Sequence, residues 1–78
     1  MYMDNYNEVS DLGLAASLSA SGFVIVEVNK SNPRRVVFCF ENSAEIQEAI
    51  QKFWSGELLL SATLLLDHIR KLKNRIYG

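Results

Sequence analysis

Cys39 is the chain's one thiol and His68, which follows Asp67, its one imidazole. A cysteine, a histidine and an acid are the parts of a nucleophile, a base and a group that orients the base, provided they come within hydrogen-bond reach. The plainer reading is a buried strand cysteine and a histidine at the border of an apolar helix stripe, because free cysteine is among the most buried residue types. On that reading the chain has no catalytic residue and is not an enzyme. One His and one Cys also exclude the usual multi-His or multi-Cys metal centre within a chain. No Gly-rich phosphate loop, usefully spaced carboxylate pair or zinc pattern occurs. No metal and no cofactor is expected.

The basic residues form two groups. Lys30, Arg34 and Arg35 flank a turn, with Phe38 and Phe40 alternating just behind them. Basic residues beside strand aromatics are the parts of an RNA-binding sheet. The glycines of that motif are missing, so a solvated turn over core phenylalanines is the plainer account. Arg70, Lys71, Lys73 and Arg75 form the second group, on the C-terminal segment. On a helical wheel they spread over both flanks of the polar face and form no single row. Asp67 is three residues from Arg70 and four from Lys71, and cations near a helix C-terminus are favourable for dipole reasons alone. These seven residues are candidate nucleic-acid contacts. Trp54, at the edge of an apolar helical arc, is a candidate anchor for a protein partner.

The frame for these side chains is small. Seventy-eight residues leave room for one core. The composition, 49% hydrophobic and 22% charged, is that of a folded globule and not of a disordered chain. With a single cysteine no internal disulfide forms, and a reducing compartment is expected. Net charge is −1, unevenly spread: residues 1–57 carry −4 and residues 58–78 carry +3. The N-terminus has no basic or apolar region of the kind a secretory signal needs. Leu58 to Leu66 is too short for a membrane span, which takes roughly 20 apolar residues. A soluble, cytoplasmic protein with no membrane contact is expected.

Four elements are well punctuated. Ser10 is read as the N-cap of a first helix that Gly22 stops, with Phe23 folding back on Leu18. Residues 23–29 and 35–40 are rich in β-branched and aromatic types and read as a hairpin around KSNPR. Pairing Glu27 with Arg35 sets Val26 opposite Val36 and Val24 opposite Phe38 on one apolar face. Ile25, Val37 and Cys39 then line the other face. Ser43 caps a second helix that Gly56 ends, with Ile46, Ala49, Ile50, Phe53 and Trp54 on one arc. Residues 57–60 read as a short third strand. Ser61 caps a last helix running to about Tyr77, with Leu65, Ile69, Leu72 and Ile76 as its stripe.

The fold class is therefore α+β in the order α-β-β-α-(β)-α, an antiparallel hairpin or three-stranded sheet packed with three helices. Residues 1–8 are expected to be a flexible arm and residues 9–78 a single domain. The expected core is Leu14, Leu18, Val24, Val26, Val36, Phe38, Ile46, Ile50, Phe53, Leu65, Ile69, Leu72 and Ile76.

Several strings carry a family resemblance. Ser10-Asp11-Leu12 opens a small-residue helix, Arg34-Arg35 precedes an alternating Val/Phe strand, Gly56-Glu57-Leu58 follows an aromatic helix end, and the chain closes on a Lys…Ile-Tyr pattern. Over roughly residues 9–77 the chain resembles a family of small bacterial and phage proteins, the domain of unknown function numbered 5659. Relatives carry Pro at the start of the second helix, where this chain has Ala44, and aromatics where it has Leu64 to Leu66. The resemblance implies a phage or mobile-element setting and no particular activity.

The expected function is a small non-catalytic interaction protein that binds another protein as an accessory subunit or modulator. The alternative is a nucleic-acid-binding module that uses the turn and the last helix. Self-association is also expected. The apolar strand face around Ile25 and Val37 exceeds what a one-sided sheet can bury, and a symmetric dimer is the commonest way to cover such a patch. Trp54 or the leucine-rich start of the last helix is the next surface in line. For the absence of catalysis, replacing His68 by Gln and Cys39 by Ala should leave biological function intact. Loss of function from both changes in a folded variant would overturn that expectation.

Overall fold

The computed structural model describes residues 6–77. Its elements are β1 (Tyr6–Val9), α1 (Leu12–Ala20), β2 (Ile25–Asn29), β3 (Val37–Glu41), α2 (Ala44–Ser55) and α3 (Ala62–Tyr77). The class is α+β, with three helices and a three-stranded antiparallel sheet of order β1-β3-β2.

β3 is the central strand, and its alternation decides which sheet face is covered. Phe38 and Phe40 point to one side and are almost wholly buried. Val9 and Val28 lie opposite Phe38, and Asn7 and Ile25 opposite Phe40. This face packs on α1, whose Leu14, Ala15, Ala16, Ser17 and Leu18 are buried in succession. A helix buried on every side has no polar stripe, and small residues let its neighbours come close. Ile46 and Ala49 of α2 and Leu72 of α3 complete the same core. α1 and α3 run antiparallel, with Ser19 meeting His68 at one end and Leu12 sharing a groove with Ile76 at the other. The molecule is only 18 Å thick along its shortest axis. That thickness fits one helix layer on one sheet face, with stacked layers about 10 Å apart.

The helix ends follow ordinary capping chemistry, with one change from expectation. Asp11, not Ser10, is the N-cap of α1, and its carboxylate accepts from the Leu14 N–H at 3.0 Å. The stop at Gly22 is as expected, with φ at 103°. The Gly22 N–H donates to the Ser19 carbonyl and the Phe23 N–H to the Leu18 carbonyl, both at 3.1 Å, which is the Schellman pairing. Ser43 caps α2 through the Ile46 N–H, Gly56 ends it at φ 78°, and Ser61 receives the Leu64 N–H at the start of α3.

The sheet departs from expectation in three ways. Its third strand is Tyr6–Val9, so residues 6–8 of the expected arm are in the sheet, and residues 1–5 lie outside the described residues. Residues 57–60 form no strand. The Glu57 and Leu58 N–H groups both donate to the Lys52 carbonyl, curling the chain over the end of α2, and both edges of β3 are already taken.

The second departure is register. Glu27 lies opposite Cys39, not Arg35, because the connection consumes residues 30–36. Asn29 accepts from Ser31 and Asn32 from the Arg34 N–H, so two asparagine side chains mimic backbone turns and lengthen the loop.

The third is a bulge between Ile25 and Glu27. One extra residue reverses the facing of everything N-terminal to it. Ile25 therefore turns inward against the core, and Val24, 72% exposed, and Val26 turn out. Val24 and Val26 are not core residues, whereas Val9, Ala15, Ala16, Phe40 and Ala49 are. Val36, Ile50, Phe53, Leu65, Ile69 and Ile76 pack against the core while partly buried. The cap assignment has a direct test. Asp11→Ala should cost about 1 kcal/mol of stability and Ser10→Ala less than about 0.5 kcal/mol in denaturant titrations, the cost of losing a real cap against a bystander.

Candidate functional site

The candidate nucleophile and base lie on different layers. Cys39 points away from the helices, on the open sheet face between its register neighbours Glu8 and Glu27. Desolvation and then these two carboxylates push the thiol above its ordinary range, which disfavours the thiolate. His68 is on α3 within the helix layer, where its Nδ1 shares a 3.0 Å hydrogen bond with the Ser19 hydroxyl. Asp67 is engaged by Lys71 at 3.1 Å and Arg70 at 4.0 Å, and the Lys71 hydrogen bond holds its carboxyl below the usual range. The three are not assembled into a unit. Among the described residues, no group of three or more His, Cys, Asp and Glu side chains could hold a metal ion.

The open sheet face is not the apolar patch expected of it. Ile25 is on the helix side, so it is not available there as a partner contact. Val37 does face outward, opposite Asn29 and partly buried, beside Cys39. Glu8, Glu27 and Glu41 occupy the same face with Tyr6, making it acidic.

Trp54 stands beside one of several shallow surface grooves. The indole stands at the end of α2, 63% exposed, with Phe53 edge-on at 4.9 Å. It walls a groove of about 360 Å³ between α2 and the β1–α1 segment. Val9, Leu14 and Ile50 contribute apolar lining, and Asn7, Glu8, Asp11 and Gln47 polar lining. One end is fixed by side-chain amides. Asn7 donates to Asn42 at 2.6 Å, and Gln47 donates to Asn7 and Asn42 at 3.0 and 2.9 Å. These bonds tie the first strand to α2 and set the groove's width. Neither Asn7 nor Gln47 is marked by its type or spacing in the sequence, and Asn7 falls in the segment expected to be a flexible arm. Leu59, 91% exposed, stands in the loop between α2 and α3, and Leu64 and Leu66 are exposed near the start of α3.

The basic residues divide among three places. Lys30, Arg34 and Arg35 are exposed on the turn, and Arg34 and Arg35 share a groove with Ile76 and Tyr77. Lys71 and Arg75 line a second groove with His68 and Ser19. Arg70 lies beside Leu66 and Asp67, and Lys73 is exposed.

These features define a small two-layer α+β protein with one covered sheet face, an acidic open face and shallow surface grooves. No helix among the described residues is long and apolar enough to cross a membrane. The chain belongs to the family described as Domain of unknown function (DUF5659), whose model matches residues 4–78. No curated protein and no solved structure matches it.

The environment of Cys39 makes a chemical prediction. At neutral pH it should alkylate with iodoacetamide more slowly than a free cysteine, and Glu8→Gln with Glu27→Gln should speed the reaction. Equal rates in parent and double variant would show that the carboxylates do not act on the thiol.

Proposed function

We propose that this protein is a small non-catalytic interaction protein that binds another protein, as accessory subunit or modulator, through the Trp54 groove. The observation that carries this reading is an indole left largely in solvent at the wall of a groove of mixed apolar and polar lining. Tryptophan presents a large apolar area and one polar N–H, and it is among the residues enriched where interface energy concentrates. Here its ring is braced by Phe53 and the groove beside it by the Asn7–Asn42–Gln47 amides, so little ordering cost remains for binding. The exposed Leu59, Leu64 and Leu66 add apolar surface outside the groove.

A second copy of the chain is one such partner, through this surface and not through the acidic sheet face. We place the protein in the reducing cytoplasm, where a lone outward thiol persists without a disulfide partner. A bacterial or phage-borne system is the setting that fits the resemblance in its sequence.

The single tryptophan makes the test direct. Partner binding should shift its fluorescence to the blue as the indole leaves water. Trp54→Ala should weaken the complex by about 2 kcal/mol or more, the scale of an interface anchor. A folded Trp54→Ala protein that retains the same partners at the same affinity from cell extracts would overturn the reading. Sedimentation of the parent alone reports whether a second copy is the partner.

A further inference from the structure

The turn and the end of the last helix are far apart in sequence, yet the fold sets them side by side. Arg34 and Arg35 face Ile76 and Tyr77 across a groove of about 360 Å³. One residue earlier on α3, Arg75 lines a second groove of about 400 Å³ with Lys71, His68 and Ser19. The two grooves therefore flank the last turns of one helix, and each holds two cationic side chains. Lys30 and Lys73 are exposed on the same two segments. Four of the chain's eight basic residues line the two grooves. The carboxylates Glu8, Glu27 and Glu41 face outward on the sheet.

Among the described residues, the ion pairs involve Lys52, Arg70 and Lys71. With the described residues, Lys30, Arg34, Arg35, Lys73 and Arg75 form none. Helix-dipole stabilisation explains cations on α3, but it does not explain two arginines brought to that helix from the turn.

We propose that this basic end binds single-stranded nucleic acid, with phosphates held in the two grooves and a base stacked on Tyr77. The ring favours a single strand over a duplex. Tyr77 is 84% exposed beside Arg34 and Arg35, and an open aromatic flanked by guanidinium groups is a stacking platform for an unpaired base. Phosphate contacts supply affinity without sequence preference. The Ser19 hydroxyl and His68 imidazole line the second groove and add hydrogen-bonding groups for a phosphate or ribose. This surface meets the Trp54 groove at Ser10, which lines both, and Trp54 itself takes no part in it.

Fluorescence anisotropy tests the proposal with labelled single strands of about 12 nucleotides, DNA and RNA, and a duplex of the same sequence. With three to four phosphate contacts, affinity for the single strand should fall roughly 20- to 50-fold between about 50 and 200 mM salt. Arg34→Ala with Arg35→Ala, and Lys73→Ala with Arg75→Ala, should each weaken binding and flatten that salt dependence. Tyr77→Ala should weaken it about 5- to 150-fold, the range for loss of one stacked base, while Tyr77→Phe keeps it. Trp54→Ala should bind the strand as the parent does, which separates this site from the protein-binding groove. The altered side chains are exposed, and circular dichroism confirms that each variant is folded. Absence of binding by the parent at about 50 mM salt overturns the proposal. So does duplex binding equal to single-strand binding and unchanged by Tyr77→Ala, which is general attraction of a polyanion.

Discussion

Burial of Phe38 and Phe40 on the central strand is the constraint from which the rest of the architecture follows. Two large rings on one side of β3 require apolar neighbours on both flanking strands and a helix layer above them. Val9, Val28 and Ile25 meet the first need, and the all-round buried α1 meets the second. Each ring contributes on the order of 1.5–3 kcal/mol by leaving water, a large share for a domain this small. The bulge in β2 belongs to the same constraint. Without the extra residue, Ile25 could not face Phe40 while Glu27 stays in solvent.

That arrangement also distributes the surface chemistry. With one face of the sheet covered, the other shows its odd-numbered β3 residues and their partners, where Glu8 and Glu27 bracket Cys39. Acidic charge and a suppressed thiol thus share one side. α3 runs antiparallel to α1, which carries its basic C-terminal turns toward the loop after β2. The cations gather at that end through topology, since each segment supplies only part of them.

α2 brings a different kind of surface. Its inner face is held by Ile46 and Ala49, and Gln47, Ile50 and Trp54 follow one another along the flank that looks toward β1. The amide contacts from Asn7 and Asn42 fix this flank, so the Trp54 groove exists only because β1 joins the sheet. Two surfaces of different chemistry, one built around Trp54 and one cationic, therefore adjoin at Ser10 on a thin two-layer molecule.

What the residues determined by themselves was local. Ser43 with Gly56 and the clear apolar arc between them bounded α2. Gly22 and Phe23 ended α1, and the Leu65–Ile69–Leu72–Ile76 spacing oriented α3. In β3, Val36 to Phe40 are all apolar, and only the size of the Phe38 and Phe40 rings marks their side as the inward one. In Phe23 to Val26 four apolar residues follow one another with no polar residue to mark a side, and local pattern carries no information on which faces inward. The bulge there, the partner of Glu27, and the role of Tyr6–Val9 were settled by what β3 needed on its two edges. The candidate sites divide the same way. Trp54 stood out by residue type, but its groove and the meeting of Arg34 and Arg35 with Tyr77 join segments distant in the chain. Caps and periodicity act over a few residues, whereas pairing and burial act over the whole core, and only the folded chain decides between them.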